Sequence, residues 1–369
     1  MRTIAARRYA ACMHGSSDVP NRVGHLVDRK PTVTPERLVA SLVPPPTFTH
    51  VAFDTYRPDP AEPSQAAAVQ SCIRFCDEAV TRRAGKKKLF GKREVLPGVG
   101  LYLDGGFGVG KTHLLASSYY RVDARSEAPT AFATFGELTQ LAGVFGFVEC
   151  IDLLAGYVLV CIDEFELDDP GNTTLISRLL SALVERGVSI AATSNTLPEQ
   201  LGEGRFAAQD FLREINTLAA IFTTVRIEGP DYRHRDLPPA PEPLTDEEVA
   251  ARAGAAPDGA VLDGFDALCG HLATMHPSRY QALIDGVTGV YITGVHPLVD
   301  QSVALRLVSL TDRLYDAGIP VVASGAKLDT IFSAEMLAGG FRKKYLRATS
   351  RLLALTAAGQ AEESGRTST

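Results

Sequence analysis

The residues Gly105–His113 read GGFGVGKTH, which fits the phosphate-binding pattern G-x-x-x-x-G-K-[ST]. Glycines let the backbone curl so that successive N–H groups face an anion, and a following helix adds the positive end of its dipole. In such a loop Lys111 reaches the β and γ phosphates of a nucleotide, and the Thr112 hydroxyl holds Mg²⁺. The residues that this motif predicts to bind the nucleotide are Gly105, Gly106, Phe107, Gly108, Val109, Gly110, Lys111, Thr112 and His113.

A second chemical motif is the pair Asp163-Glu164, which directly follows the apolar run Tyr157–Ile162. At the carboxyl end of a buried strand, Asp163 is placed to organise Mg²⁺ and Glu164 to polarise an attacking water. A glutamate directly after the aspartate favours hydrolysis over kinase or nucleotide-switch chemistry. The chain has no Asn-Lys-x-Asp motif for reading guanine, so a GTPase is disfavoured.

Polar and cationic residues farther along the chain complete the predicted site. Asn195 ends the next strand, where its amide can position the water; capping the following helix is the alternative. Hydrolysis also needs a cation that neutralises the developing phosphate charge. Arg205 and Arg213 are candidates to act on the nucleotide of a neighbouring subunit. Arg347 and Arg351, one helical turn apart, are candidates within the same chain, whereas a surface ion pair is the alternative for each arginine.

These residues need a sheet that brings several strand ends together. Short apolar runs alternate with amphipathic segments, a pattern that predicts an α/β fold, a three-layer parallel sheet with right-handed crossovers. The predicted strands are residues 99–103, 130–133, 157–162, 188–193 and 220–227, and the clearest helices are 65–83, 114–120 and 173–186.

Changes in composition divide the chain into five parts. We expect a basic, disordered arm at 1–31, a P-loop ATPase core at 32–236 and a Pro- and Ala-rich linker at 237–257. A C-terminal lid-like unit at 258–356, with a strand–helix–strand pattern, and a disordered tail at 357–369 would follow.

The composition of the chain argues against several classes of protein. The chain is 45% hydrophobic, yet no apolar run approaches the roughly 18 residues of a membrane span. Its net charge of −6 argues against bulk nucleic-acid binding. The six cysteines lack metal-site spacing and suit a reducing compartment.

Several segments resemble the ZapE family of AAA+ ATPases, bacterial cell-division proteins with mitochondrial AFG-like counterparts. The resemblance runs from about residue 33 to 355, and the Asp-Glu-Phe phrase and the Arg-x-x-Ser-Arg-Leu ending are its most specific parts. The matching segments are Phe53–Tyr56, Ser64-Gln65, Cys161–Asp169, Ala192–Asn195, Asp231–Arg233, Ala304–Tyr315 and Arg347–Leu352.

The resemblance implies an AAA+ (ASCE-type) fold that depends on ATP and Mg²⁺. It also implies a homo-oligomeric ring, for which a hexamer is one arrangement. A cytoplasmic protein is implied, one that meets the division machinery or membrane proteins, with peripheral contact at the inner face of the membrane. One departure is Ala208, because the family commonly places an arginine there. Either Arg205 or Arg213 would then supply the trans cation, or activation in trans would be weak.

Two other functions stay open at this point. A helicase-loader type of ATPase would use the basic segment Lys86–Arg93 on nucleic acid, although the acidic composition makes nucleic acid the less favoured partner. A nucleotide-gated scaffold would bind ATP and barely hydrolyse it, as the absence of an arginine at Ala208 allows. The favoured hypothesis is an ATPase that remodels a protein partner.

Overall fold

The computed structural model describes residues 23–32, 34–85, 96–165, 170–197, 212–230 and 242–366. Within these ranges the chain forms two α/β units, of which the first carries the P-loop. Its strands are β1 (Gly100–Gly105), β2 (Thr130–Thr134), β3 (Leu159–Asp163), β4 (Ser189–Ser194) and β5 (Phe222–Ile227). Its helices are α1 (Pro35–Ala40), α2 (Pro63–Ala84), α3 (Lys111–Asp123), α4 (Phe135–Phe145), α5 (Phe147–Leu154), α6 (Pro170–Glu185) and α7 (Leu212–Ile221).

The five strands form one parallel sheet in the order β2-β3-β4-β1-β5. Strand β4 separates the P-loop strand β1 from β3, so polar groups at the ends of all three strands meet at one edge. Leu101 and Leu103 pack with α2 and α3 on one face, whereas Tyr102 packs with α4 to α7 on the other. This three-layer arrangement confirms the predicted fold class, with strand bounds shifted by one or two residues.

The second unit is built on a three-stranded parallel sheet in the order β6-β7-β8. It therefore contains one strand more than the predicted strand–helix–strand. Its strands are β6 (Ala260–Gly264), β7 (Gly289–Val295) and β8 (Val321–Gly325). Its helices are α8 (Asp246–Ala255), α9 (Phe265–Ala273), α10 (Tyr280–Leu283), α11 (Gln301–Ala317), α12 (Ala334–Ala338) and α13 (Arg342–Arg366).

The segment expected to be a linker contains helix α8. A capping box starts this helix: Thr245 Oγ1 accepts from the backbone N–H of Glu248, and the Glu248 carboxylate accepts from that of Thr245. Val249 and Ala253 are buried against the C-terminal sheet. The Thr-x-x-Glu spacing was the sequence signal for this helix. Residues 237–241 of the expected linker lie outside the described residues.

Disorder was expected at both ends of the chain, but the described residues at each end belong to the folded second unit. Gly24 continues the C-terminal sheet, because its N–H donates to Ala260 O (2.9 Å) and its carbonyl accepts from Leu262 N (3.0 Å). Leu26 is fully buried, and its N–H donates to Asp263 Oδ2 (2.8 Å). Helix α13 continues to Arg366, beyond the predicted end of the folded unit. Residues 1–22 of the expected arm lie outside the described residues.

Candidate nucleotide-binding and catalytic site

The P-loop joins β1 to α3, and the side chain of its lysine turns back onto the loop. Lys111 Nζ donates to the carbonyl oxygens of Gly105 (2.9 Å) and Gly106 (2.5 Å) and to Asn195 Oδ1 (2.9 Å). The ammonium group is thus surrounded by neutral oxygens between the loop and the end of β4. A charged amine held in this position can exchange these acceptors for the stronger, charge-assisted bonds of a phosphate.

The end of the loop is closed by residues from before α2. Gly110 has φ +85°, and a Cβ there would lie 2.5 Å from Tyr56 Cε2, so both conformation and space require glycine. Tyr56 donates its hydroxyl to Val109 O (2.7 Å). His113 Nε2 lies 2.9 Å from Thr55 Oγ1. The histidine therefore fastens the start of α3 to the preceding segment, and it also lines the nucleotide cleft.

Asp163 ends β3 and lies beside the P-loop threonine. Thr112 Oγ1 is 3.2 and 3.1 Å from the two carboxylate oxygens of Asp163. Thr193 on β4 donates to Asp163 Oδ1 and accepts from the backbone N–H of Glu164 (3.1 Å). Burial raises the pKa of Asp163, and the neighbouring Glu164 adds to the rise, whereas the hydroxyls of Thr193 and Thr112 oppose it.

Glu164 has a strained backbone and a side chain bound by two cations. Its φ of 54° makes it the only non-glycine residue with positive φ in the described part of the chain. Its Oε2 lies 3.3 Å from Arg347 Nη1, and its Oε1 accepts from Arg351 Nη2 (3.0 Å). Both arginines come from α13, so the second unit holds the predicted catalytic carboxylate.

The two arginines are nearly buried, with side chains 7% and 6% exposed. Asp312 on α11 lies behind them and pairs with both. The guanidinium carbon of Arg351 also lies 5.1 Å from the centre of the Tyr315 ring. Burial lowers the pKa of Arg351, but the carboxylates of Asp312 and Glu164 outweigh it and raise the pKa well above its ordinary value.

A cleft of about 900 Å³ joins these groups between the two units. At its far side Lys343 of α13 donates to the carbonyl of Asn195 (3.2 Å), so the second unit also contacts the end of β4. The cleft is lined by Phe48, Phe107, Gly108, Gly110, Lys111, Thr112, His113, Asp163, Glu164, Thr193, Ser194, Asn195, Tyr315, Asp316, Arg347 and Arg351.

Most of the residues predicted from sequence therefore meet in one place. Arg213 does not, since it is exposed on α7 and is absent from the lining of the cleft. Arg205 and Ala208 lie outside the described residues, as does the basic segment 86–93.

Sequence reasoning missed Thr193 and Asp316, which line the cleft, and Asp312, which lies behind the two arginines. Thr193 lies within the Ala-Thr-Ser-Asn segment that was singled out for its asparagine, so a signal existed for it. Asp312 lies within the matching segment Ala304–Tyr315, which pointed to no chemical role for it, and Asp316 directly follows that segment; only the packing of α11 places them at the site. Within the described ranges, no cluster of three or more His, Cys, Asp or Glu side chains has the arrangement of a metal site. None of the helices in those ranges is both long and apolar enough to cross a membrane.

The fold and the site together define a P-loop ATPase of the AAA+ class. The model of the AFG1-like ATPase family matches residues 32–242 and 238–363, which is most of the chain. The chain belongs to the AFG1-like ATPase family.

Curated relatives agree with this assignment. The cell division protein ZapE of Escherichia coli K12 is 27% identical over 297 residues, which cover 69% of this chain and 79% of that protein. Lactation elevated protein 1 homolog B of Danio rerio is 27% identical over 165 residues, covering 39% of this chain and 32% of that protein.

Solved structures are more distant. The crystal structure of DnaI is 21% identical, covers 52% of this chain and 97% of its own, and gives a TM-score of 0.39. The structure of the replication initiator DnaA bound to AMPPCP and single-stranded DNA is 11% identical. It covers 88% of this chain and 92% of its own, and gives a TM-score of 0.38. Because both scores lie below 0.5, no function is inferred from these two proteins.

Proposed function

We propose that this protein is an Mg²⁺-dependent ATP hydrolase that couples hydrolysis to the remodelling of a protein partner. The observation that carries the proposal is the convergence of Lys111, the Thr112–Asp163 pair and Glu164 in one cleft that the second unit closes. A nucleotide in this cleft would contact both units. A change of nucleotide state could then change how the two units lie against each other, which remodelling of a partner requires.

The side chains present fit ATP and Mg²⁺. Lys111 is held by three replaceable oxygen acceptors, and its charge suits the terminal phosphates. Thr112 and Asp163 offer a hydroxyl and a carboxylate side by side, the hard oxygen ligands that Mg²⁺ shares with nucleotide phosphates. When bound, Mg²⁺ would neutralise charge on the phosphates that ATP supplies.

Each of the remaining side chains would have a separate role in hydrolysis. Glu164 would accept a proton from the attacking water, a role for which it must leave Arg347 and Arg351. Asn195 would position the water with its amide once Lys111 turns to phosphate. The two arginines would balance negative charge on the terminal phosphate, and Arg213 remains the described candidate for acting in trans.

We propose that the partner acts in cell division or in membrane-protein quality control, and the name of the ZapE relative supports the first of these. We also propose a cytoplasmic homo-oligomer with peripheral contact at the membrane, with a hexamer as one arrangement. A measurement of ATP turnover does not identify the protein partner, so identifying it requires a separate capture experiment. The nucleotide chemistry can be tested without it.

The test is ATP turnover per subunit over a range of protein concentrations, with Glu164→Gln as the key variant. We expect Glu164→Gln to bind ATP normally and to lose at least about 100-fold in turnover, because general-base catalysis contributes roughly 100- to 10,000-fold. Glu185→Gln is the matched control, since Glu185 is exposed at the end of α6. Turnover in Glu164→Gln equal to that of Glu185→Gln would remove the catalytic assignment.

The concentration series separates two ways of completing the site. A rate per subunit that rises with concentration indicates a cation from a neighbouring subunit, and Arg213→Ala should then abolish the rise. A flat rate indicates either that Arg347 or Arg351 supplies the cation within the chain or that the oligomer is already saturated. Tight ATP binding with turnover far below one per minute in the wild type would instead favour a nucleotide-gated scaffold, in which Glu164 stays paired.

A further inference from the structure

Arg347 and Arg351 lie between two carboxylates and complete a closed ring of four charged side chains. On one side, Asp312 Oδ2 accepts from Arg347 Nη2 (2.7 Å), and Asp312 Oδ1 accepts from Arg351 Nη1. On the other side, Arg347 Nη1 and Arg351 Nη2 bind the two oxygens of Glu164 at 3.3 and 3.0 Å. Each guanidinium group therefore gives one terminal nitrogen to each carboxylate.

The two carboxylates of this ring differ in where they are attached. Asp312 is on α11, which packs along α13, so it belongs to the same unit as both arginines. Glu164 belongs to the P-loop unit, and its bonds to the arginines cross the cleft. Movement of one unit against the other leaves the Asp312 bonds intact and breaks the Glu164 bonds. Asp312 is thus the permanent partner, and Glu164 is the exchangeable one.

Asp312 also fixes the direction in which the arginines point. Its side chain is only 14% exposed, and its two oxygens each take one terminal nitrogen, one from each guanidinium group. The planar fork of arginine allows a carboxylate to take two nitrogens at once. Without Asp312, both arginines could turn fully onto Glu164. With Asp312 in place, each one presents a single nitrogen to the cleft.

We propose that Asp312 is a positioning residue for ATP hydrolysis: it holds Arg347 and Arg351 so that their cleft-facing N–H groups transfer from Glu164 to the terminal phosphate. The proposal rests on the function proposed above. Transfer of the N–H groups leaves Glu164 free to act on water at the moment when the terminal phosphate is bound. Asp312 is not among the residues that line the cleft, so it would act through the two arginines.

The test compares the binding of AMPPNP and of ADP, each with Mg²⁺, by titration calorimetry. In Asp312→Asn we expect AMPPNP affinity to fall about 10-fold or more while ADP affinity changes less than about twofold, because charge-assisted bonds to the terminal phosphate are lost. Asp329→Asn, an exposed aspartate of the same unit, is the matched control. The AMPPNP-to-ADP preference is read without any turnover.

A second variant keeps the idea testable if Asp312→Asn folds poorly. Glu164→Gln removes the charge that competes for the arginines, so it should raise the AMPPNP-to-ADP preference several-fold above the wild type. In the double variant, Asp312→Asn should then cost much less of that preference than it does alone, because Glu164 no longer carries the charge that would capture the arginines.

Three results would overturn the proposal. One is an unchanged AMPPNP-to-ADP preference in Asp312→Asn, and another is an equal loss of both ligands, which marks a purely structural aspartate. The third is a Glu164→Gln preference no higher than that of the wild type. Failure of the proposed function looks different, because the wild type would then bind neither ligand or would show no turnover that Glu164→Gln removes.

Discussion

The ion pair between Arg313 and Glu137 joins the two units and offers a direct measure of how firmly they are held together. Arg313 Nη1 on α11 lies 2.8 Å from Glu137 Oε1 in the first turn of α4. Glu137 also accepts from the backbone N–H of Thr134, as the capping box of α4. We perturb the pair with Glu137→Gln, Arg313→Gln and the double variant, since glutamine keeps hydrogen-bonding capacity at both positions.

The expected magnitude follows from the depth and distance of the pair. Two charges about 4 Å apart attract by about 4 kcal/mol at an effective dielectric constant near 20. The two side chains are 18% and 21% exposed, so water screens the attraction only in part, and the cost of removing both charges from water offsets some of it. We therefore expect a coupling free energy of about 1–3 kcal/mol, above the value below about 1 kcal/mol that is common for exposed pairs.

The assay is urea unfolding of the four proteins, with free energies obtained from the midpoint and slope of each transition. The coupling is the sum of the costs of the two single variants minus the cost of the double variant. Because the pair is mostly shielded from solvent, raising the salt from 0.1 to 0.5 M should change the coupling little. A coupling below about 0.5 kcal/mol, or one that disappears in salt, would refute the view that this pair fastens the units.

Two further predictions concern stability. Burial raises the pKa of Asp316 to about 7 against an ordinary value of 3.8, although Arg351 and Arg313 oppose the rise. Its contribution to stability is present below pH 3.8 and is lost as the pH rises through about 7, so Asp316→Asn should gain roughly 2–3 kcal/mol on the wild type between pH 5 and 8. A gap in unfolding free energy that stays constant over that range contradicts this. Leu26→Ala should cost about 2–5 kcal/mol, because Leu26 is fully buried; a loss below about 1 kcal/mol in urea unfolding would show that residues 23–32 pack loosely.

The sequence was sufficient to predict those parts of the site in which the same few residues determine both the chemistry and the local structure. Glycine spacing, the lysine and the following helix together predict the P-loop, and in the structure this loop joins β1 to α3 with Lys111 against the end of β4. The parallel sheet followed from short apolar runs that are buried on both faces. The position of Asp163 and Glu164 then followed, because parallel strands end at the same edge.

Residues that act through tertiary packing left no local pattern. Asp312 reads as one more charge on an amphipathic helix, and only the packing of α11 on α13 turns it toward two arginines. The basic composition of residues 1–31 favoured disorder, yet Gly24 pairs with β6 and Leu26 anchors the segment that follows it. Such long-range pairings depend on the partner surface, which no single stretch of sequence shows.

Three polar links between the units fall at three successive strand ends of the P-loop sheet. Arg313 contacts Glu137 just after β2, the arginine pair contacts Glu164 at the end of β3, and Lys343 contacts Asn195 at the end of β4. A contact of about 3.6 Å is no longer a hydrogen bond, so a rigid shift of the second unit away from the sheet by about 1 Å would weaken all three links. The coupling is reciprocal: whatever draws the arginines from Glu164 loosens the second unit. A force that moves the second unit in turn changes the bonding of Glu164.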